Sequence, residues 1–334
     1  MQVKVEKPSM PTIWLDTSVI IKIAKALSDK SRSQDVQDER YLVLYNLVQQ
    51  KVSQRRILCP EGDQEEEYLL GKRLIRECHA VQTFLSMGIR FAHREQIKRF
   101  QLCHHMKAHI EGRTEVIIPY KDFFYGDPVR ELAAVKDYVI TIQPSASDKE
   151  IEARLMSRKT TSERIEAIRQ KAVAQGASYE QQLAREYLGE LDALIHMLED
   201  WDKRITSGDI PTADDFLRME PLGFLLAIWD RYKGEPRGLP GLIGFFHSDS
   251  YRSVPYVDIA CKLWAKIVTS NAKVEPGDSM DIAQLSVAIP CCHFIVTDQK
   301  MKNRITDLGL DTKYGTRVFS IRDIDSLQSE LGPL

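Results

Sequence analysis

Residues 12–18 read Thr-Ile-Trp-Leu-Asp-Thr-Ser, a short apolar run that ends in an acidic residue, Asp16. A second run of this kind, residues 294–297, is followed directly by Asp298. Both runs are rich in β-branched or aromatic residues and are too short for helices, which predicts buried strands. Helical segments separate these and other short apolar runs, so the sequence predicts an α/β fold with a parallel sheet.

Acidic residues follow both predicted strands, and Asp278 and Asp281 precede the second one at the start of a predicted helix. The carboxyl ends of parallel strands meet at one edge of the sheet, where open α/β folds bind their ligands. Carboxylates gathered at that edge would repel one another unless a divalent cation neutralised them. The sequence therefore predicts a metal-dependent enzyme that uses Mg²⁺ or Mn²⁺.

The composition sets limits without selecting a function. The chain has 334 residues, which predicts one large domain or two unequal ones. Its hydrophobic fraction of 43% is enough for a core, and its charged fraction of 28% is ordinary. The net charge of −2 gives no basic excess of the kind that often marks nucleic-acid binders. A local basic face would still be sufficient for such binding.

The cysteines and the N-terminal residues predict a cytoplasmic protein. The six cysteines are scattered, with no Cys-x-x-Cys pair, which indicates free thiols in a reducing compartment. Residues 1–11 are polar and charged, unlike a signal peptide. No apolar run approaches the ~20 residues of a membrane-spanning helix, so we expect no membrane association.

The order of the predicted elements divides the chain into a discontinuous α/β domain and an insertion. Outside the two strands already described, the domain has predicted helices at residues 19–27, 38–51, 64–70, 257–267, 281–288 and 300–307, and strands at 55–60 and 317–320. The middle has little strand signal, with helical periodicity at residues 92–112, 128–142, 148–175 and 178–205 and a looser stretch at 205–256. We predict an α/β domain formed by residues 1–91 and 250–334, with a mainly helical insertion at 92–249.

Together these residues resemble the PIN-domain nucleases, a family of metal-dependent enzymes that mostly cleave RNA. In that family the first strand ends in Asp followed by Thr or Ser, as residues 15–18 do. The second strand often ends in Pro with an acidic residue on the next helix, which Pro60 and residues 65–67 match. A third acid opens a helix that leads to a strand ending in Thr-Asp, as Asp281 and residues 296–298 do. The resemblance implies a three-layer α/β/α sandwich around a central parallel sheet.

The resemblance also implies a set of site residues. The carboxylates expected to face the metal are Asp16, Glu66, Asp278, Asp281 and Asp298. The choice among residues 65–67 stays open, since the distance from Pro60 favours Glu66 with Glu67 close behind. Supporting roles in orienting these acids or contacting substrate fall to Thr17, Ser18, Glu67, Thr297 and Lys300. Each acid taken alone is compatible with helix capping or a turn, so their joint occurrence at strand ends is the informative feature.

The activity implied by the resemblance is hydrolysis of phosphodiester bonds by an endoribonuclease. RNA is the expected substrate, with DNA as the second choice, and a toxin-like or anti-phage defence role would suit such an enzyme. The insertion would select substrate, mediate self-association or hold the nuclease inactive. A second copy of the chain or a regulatory protein is therefore an expected partner. The alternative is an inactive PIN-like scaffold that binds RNA or a protein. Silent versions usually lose acids, and this chain keeps them, which favours the enzyme.

Two further patterns carry weaker signals. Basic residues of the insertion, among them Arg154, Arg158 and Lys159, would contact backbone phosphates or form a solvated helix face with the interleaved glutamates. Cys103, His104 and His105, together with His109, have spacing compatible with zinc on one helix. They lack an obvious second ligand pair, so we expect them to serve in packing.

Overall fold

A computed structural model describes residues 1–28, 36–71, 74–135, 147–210 and 212–334. It does not describe the side chains of residues 36–38, 66 and 71. Within these ranges the strands are β1 (Gln2–Val5), β2 (Ile13–Leu15), β3 (Glu115–Ile118), β4 (Phe294–Val296) and β5 (Arg317–Phe319).

Helices make up most of the described chain, in agreement with a mixed α/β fold. They are α1 (Thr17–Ser28), α2 (Val36–Ser53), α3 (Glu65–Tyr68), α4 (Ile75–Ser86), α5 (Arg94–Ile110), α6 (Pro128–Ala134), α7 (Asp148–Ala174), α8 (Tyr179–Thr206), α9 (Ala213–Arg231), α10 (Leu239–His247), α11 (Asp249–Arg252), α12 (Pro255–Val268), α13 (Asp278–Cys291), α14 (Gln299–Asp307), α15 (Leu310–Tyr314) and α16 (Ile324–Leu331). None of the described helices combines the length and hydropathy that crossing a membrane requires.

The predicted parallel pairing of the two chain ends is confirmed. Strands β2, β4 and β5 form a three-stranded sheet with β4 in the centre, and both pairs are parallel. Ile13 aligns with Phe294 and Leu15 with Val296, so the first strand ends level with the central one. The residues that follow the two strands therefore meet at the same edge.

The predicted strand at residues 55–60 is reduced to one bridge. Leu58 pairs in parallel with Thr12, and Ile13 N donates to Leu58 O at 2.8 Å. Arg55 has a φ of 56°, which turns the backbone out of an extended path. Pro60 has no N–H to continue a ladder, so pairing stops on both sides of Leu58.

A second sheet pairs β1 with β3, and the sequence did not predict either strand. Both are short and alternate between exposed and more buried positions. Residues 2–5 are Gln-Val-Lys-Val, within the segment 1–11 for which the sequence analysis noted only a polar and charged character. Alternation over only four residues is a weak signal, and pairing with a distant strand is what stabilises it.

Prolines account for the main errors in the predicted helices. We expected α13 to stop before Pro290, but the helix continues to Cys291. Pro290 lies in its last turn, where it removes only one backbone hydrogen bond. The looser stretch predicted at residues 205–256 contains three helices, and α10 has Pro in its first turn, where the missing N–H costs nothing. Helices α7 and α8 lie close to where they were predicted, whereas residues 136–142 of another predicted helix are outside the described residues.

The chain divides into two compact units. A helical unit comprises Met1–Lys4, Lys98–Ile118 and Arg169–Asn271, and a sheet unit comprises Val5–Ile97, Pro119–Ile168 and Ala272–Leu334. The predicted division into residues 1–91 with 250–334 and an insertion at 92–249 stays a prediction.

Each unit has its own apolar core. In the sheet unit, alternate residues of β2 and β4 pack with helices α1, α2, α4 and α16, and the intervening Trp14 and Ile295 are buried as well. In the helical unit, aromatic residues of α8 to α11 form the core around the fully buried Phe245 and Trp229. His105 and His109 belong to this packing, where both accept or donate hydrogen bonds with Ser250. No disulfide forms among the six cysteines, of which only Cys103 is not fully buried.

Candidate active site

Asp16 is the residue at which the two ends of the chain meet. It follows β2, and its carbonyl accepts the first hydrogen bonds of α1 from Val19 and Ile20. Its backbone N–H donates to Val296 O at 2.9 Å, which extends the pairing with the central strand by one residue. The side chain is consequently held at the sheet edge and is only 3% exposed.

The two oxygens of the Asp16 carboxylate differ in their surroundings. Oδ2 accepts hydrogen bonds from Thr297 Oγ1 at 2.7 Å and from Ser18 Oγ at 3.2 Å. Oδ1 is buried and has no hydrogen-bond partner among the described residues. A buried carboxylate oxygen without a partner is costly, and an unrecorded water or ion is one of the explanations for such an atom.

Asp281 lies in the first turn of α13, and its surroundings are also negative. Within the described residues no basic side chain forms an ion pair with it. Its pKa rises to about 9, chiefly because the carboxyl is desolvated and then because Asp16 and Glu67 carry negative charge. The pKa of Asp16 rises to about 6 because of burial, with the Thr297 hydrogen bond opposing the shift and the charge of Glu67 adding to it. Asp16, Glu67 and Asp281 are therefore close enough to repel one another.

Among residues 65–67, the structure directs Glu67 toward these aspartates. Its side chain is 10% exposed and receives a hydrogen bond from Gln284 Nε2 at 3.4 Å. Glu65 turns away and pairs with Arg90 at 3.1 Å. The side chain of Glu66, the favoured choice from sequence, lies outside the described residues, so its role stays a prediction.

Asp298 completes the set that we call the acidic cluster, namely Asp16, Glu67, Asp281 and Asp298. It is exposed at the N-terminus of α14, where Oδ1 accepts from Met301 N at 2.9 Å. Its negative charge contributes to the raised pKa values of both Asp16 and Asp281. Asp298 thus combines the capping role expected of any residue at this position with a place in the cluster.

Asp278 has a different environment from Asp281, although both lie in the first turn of α13. Its Oδ1 pairs with Arg304 Nη1 at 2.9 Å, and both side chains are almost completely buried. Its Oδ2 accepts from Glu275 N at 2.7 Å. Both oxygens of Asp278 are therefore engaged by the protein.

The supporting residues predicted from sequence fall into two groups. Ser18 and Thr297 hydrogen-bond directly to Asp16, whereas Thr17 Oγ1 donates to Gln284 Oε1 at 3.3 Å. Lys300 pairs with Glu275 at 2.5 Å. The hydroxyls thus hold the acids, while the lysine is engaged elsewhere.

Gln284 was missed at the sequence level, and Arg158 was considered there only as one of several basic residues of the insertion. Gln284 is buried and connects Thr17 to Glu67, so it links α1 to α3 through α13. Its position three residues after Asp281 places it on the same helix face, which is the one signal that could have found it. Arg158 of α7 donates to Glu67 Oε1 at 2.9 Å. Nothing in the local sequence distinguishes it from its basic neighbours.

The cluster can be tested for its fit to a cation. In the part of the chain that the structure describes, no three His, Cys, Asp or Glu side chains are grouped as metal ligands. The donor atoms are nevertheless carboxylate oxygens, which hard divalent cations prefer. The unpartnered Oδ1 of Asp16 and the mutual repulsion of the acids are the two features that a bound cation would relieve. The residues present fit Mg²⁺ or Mn²⁺ on these grounds.

Comparisons of the chain with protein-family models, with curated proteins and with solved structures gave no match. The function therefore has to be inferred from the site itself.

Proposed function

We propose that the protein is a metal-dependent phosphodiesterase, an endonuclease that acts on RNA. The observation that supports this most strongly is the buried, unpartnered Oδ1 of Asp16 among carboxylates that raise one another's pKa. A fold does not keep such a group without a compensating gain, and functional sites are where such groups concentrate.

The fold proposed for the sheet unit is a PIN-like three-layer α/β/α sandwich. Residues on both faces of β2 and β4 are buried, which agrees with helices on both sides of the sheet. The cluster lies at the carboxyl ends of these strands, the edge at which open α/β sheets bind ligands. The described sheet has three strands, so the sandwich would be a small one.

The proposed ligands of Mg²⁺ or Mn²⁺ are Asp16, Glu67, Asp281 and Asp298. When bound, such an ion activates a water and stabilises the charge that develops on the phosphate oxygens. Thr297 and Ser18 fix the orientation of Asp16 by donating to its Oδ2, which leaves Oδ1 for the ion. Gln284 holds Glu67 on the opposite side from Arg158.

A cleavage assay tests the proposal. Single-stranded RNA and DNA oligonucleotides are incubated with the protein in Mn²⁺, Mg²⁺ or EDTA, and products are resolved on denaturing gels. We expect cleavage of RNA that requires metal and falls at least about 10³-fold in Asp16→Asn and Asp281→Asn, since each change removes a charged ligand. Asp325→Asn, an exposed aspartate on α16, is the matched control and should cleave as the wild type does.

Two outcomes would contradict the proposal. Equal cleavage by the wild type and both variants would mean that another part of the protein, or a contaminant, carries the activity. Absence of cleavage under every condition would favour the alternative, an inactive scaffold that binds RNA or a protein partner. Binding of the same oligonucleotides, measured in parallel, separates these two alternatives.

A further inference from the structure

Arg158 has an unusual position on helix α7. Residues 152–157, 159 and 160 are all exposed, and Arg158 alone in this stretch is partly buried. Its side chain is 23% exposed, against 10% for its partner Glu67. The arginine therefore leaves the solvated face of α7 and inserts its guanidinium at the acidic cluster.

Two contacts fix the guanidinium there. Nη2 donates to Glu67 Oε1 at 2.9 Å, and Nε lies 3.3 Å from the carbonyl oxygen of Pro276. A Cβ atom placed on Gly277 would lie 3.8 Å from Arg158 Nη2 and 3.7 Å from Asp281 Oδ2. The guanidinium thus lies between Glu67 and the first turn of α13, close to Asp281 as well.

A second anchor holds α7 against the same loop. Two helical turns after Arg158, Glu166 Oε2 accepts a hydrogen bond from Val274 N at 3.0 Å. The loop before α13 is therefore bound at Val274 and at Pro276 by residues on one side of α7. The position of Arg158 follows from the packing of a long helix, so the arginine is preorganised rather than drawn in as a loose surface side chain.

The contacts leave part of the guanidinium available. Arginine has five N–H donors in a planar fork, and the two contacts described use one from Nη2 and the one on Nε. A phosphodiester is an anion that the carboxylates would repel, and a guanidinium beside them provides the complementary charge with bidentate geometry. The side chain keeps 23% of its surface exposed, so part of it is accessible to a ligand from solvent.

We propose that Arg158 is the residue that binds the phosphate of the scissile phosphodiester, delivered to the acidic cluster by α7. This inference rests on the proposed function, because it assigns the substrate-binding cation of that site. Arg158 keeps its contacts with Glu67 and the Pro276 carbonyl and adds the substrate phosphate, and so aligns the anion with the carboxylates. The substrate class that it selects is a phosphodiester anion rather than a neutral or cationic ligand.

The first test is binding without turnover. Affinity for a fluorescein-labelled single-stranded RNA oligonucleotide is measured by anisotropy in EDTA over a series of salt concentrations. We expect Arg158→Ala to weaken binding about tenfold and to reduce the salt slope by about 0.7, the value for one lost phosphate contact on a single strand. Arg237→Ala, at an arginine whose side chain is 83% exposed in the helical unit, should leave both values unchanged.

The second test is steady-state cleavage with Mn²⁺. Arg158→Ala should raise KM about tenfold, while Arg158→Lys, which keeps the charge but loses the planar fork, should recover part of the loss. Thermal unfolding checks that both variants fold. If the alanine variant does not fold, the lysine variant still provides the test. A purely structural role would lower Tm without altering KM or the salt slope.

Two results would overturn the role of Arg158, and a third would overturn the nuclease proposal instead. Wild-type cleavage with unchanged affinity, salt slope and KM in Arg158→Ala would refute the role of Arg158 and leave the nuclease proposal intact. Faster cleavage by Arg158→Ala would show instead that the arginine inhibits the site through its ion pair with Glu67. Binding that depends on Arg158 in a protein that never cleaves would refute the nuclease proposal while keeping Arg158 as the phosphate ligand.

Discussion

The first turn of α13 carries two aspartates with opposite electrostatic surroundings. Asp278 is buried against Arg304, with both of its carboxylate oxygens engaged by the protein. Asp281, three residues later, has no such partner among the described residues and lies with Asp16 and Glu67 in the acidic cluster. One helix turn thus separates a neutralised carboxylate from one whose charge is opposed by its neighbours.

The difference teaches how a structural acid is distinguished from a candidate functional one. Helix position alone predicts the same benefit for both residues, because acids near a helix N-terminus interact favourably with its dipole. What separates them is whether the fold supplies a cation at the same depth. The protein does so for Asp278, whereas Asp281 has no ion-pair partner among the described residues, which is a local conflict of the kind expected at functional sites.

The largest effect should follow from removing the arginine of the neutralised pair. We expect Arg304→Met to lower the free energy of unfolding by about 3–5 kcal/mol, because it leaves the buried Asp278 carboxylate uncompensated. Urea unfolding followed by circular dichroism measures this. Adding Asp278→Asn to the variant should restore most of the loss, and a single-variant loss below about 1 kcal/mol would show that Asp278 is not held as described.

Binding of Mn²⁺ at the acidic cluster, which contains Asp281, should stabilise the folded protein. At a free Mn²⁺ concentration 100 times Kd, the free energy of unfolding should rise by about 2.7 kcal/mol, because the ion binds only the folded protein. The measurement is Tm in Mn²⁺ against Tm in EDTA. The Asp281→Asn variant should show a much smaller rise, and an equal rise in both proteins would place the ion elsewhere.

Neutralising each aspartate in turn should change stability in opposite directions. In EDTA at pH 8 we expect Asp281→Asn to stabilise the protein by roughly 1–3 kcal/mol, because the Asp281 carboxylate, ionised in the unfolded chain, has to take up a proton on folding and the amide does not. Asp278→Asn should destabilise it by a similar amount, since the charged hydrogen bond to Arg304 is weakened. Urea unfolding of both variants gives the two signs, and a common sign would remove the distinction between the two sites.

The difference in stability between the Asp281→Asn variant and the wild type should depend on pH. The folded-state pKa of Asp281 is raised to about 9, well above that of an unfolded aspartate, so the folded protein binds the proton more tightly. Its contribution to stability is complete below about pH 4 and is lost as pH rises through about 9. In EDTA, the difference in stability between Asp281→Asn and wild type should therefore grow from pH 5 to pH 9. A difference that shrinks over this range would contradict the raised pKa.

The smallest effect concerns the hydroxyl that orients Asp16. Thr297→Val removes the 2.7 Å hydrogen bond and should cost about 1 kcal/mol of stability. Because that bond favours the charged carboxylate, its loss should raise the pKa of Asp16 above about 6, as measured by NMR titration in EDTA. Ser18→Ala removes a longer bond and should give a smaller rise, so a larger rise in that variant would contradict the assignment.

The sheet edge could be predicted from sequence because its signals are local. Short apolar runs identify β2 and β4, and the acid that follows each run is fixed by chain direction. Strands β1 and β3 were missed because four alternating residues carry little signal until a partner strand is present. Pro240 and Pro290 were misinterpreted because proline is tolerated in the first or last turn of a helix, whereas Pro221 lies inside α9 and the helix continues through it.

The rest of the site depends on packing that the sequence does not encode locally. Which of residues 65–67 faces the acids depends on the rotation of α3, a helix of only four residues. Arg158 is one of many charged residues on α7, and its selection follows from how that helix contacts the loop before α13. Long-range placement of this kind has no periodicity to reveal it.

The hydrogen bond between Asp16 and Thr297 joins residues that are 281 positions apart. During translation, Asp16 therefore leaves the ribosome long before the strand that aligns it has been made. A nascent chain that ends before β4 lacks Asp298 and the Thr297 hydroxyl that orients Asp16, and one that ends before α13 lacks Asp281 as well. If the protein cleaves RNA, this order of synthesis keeps the growing polypeptide from cutting the message that encodes it.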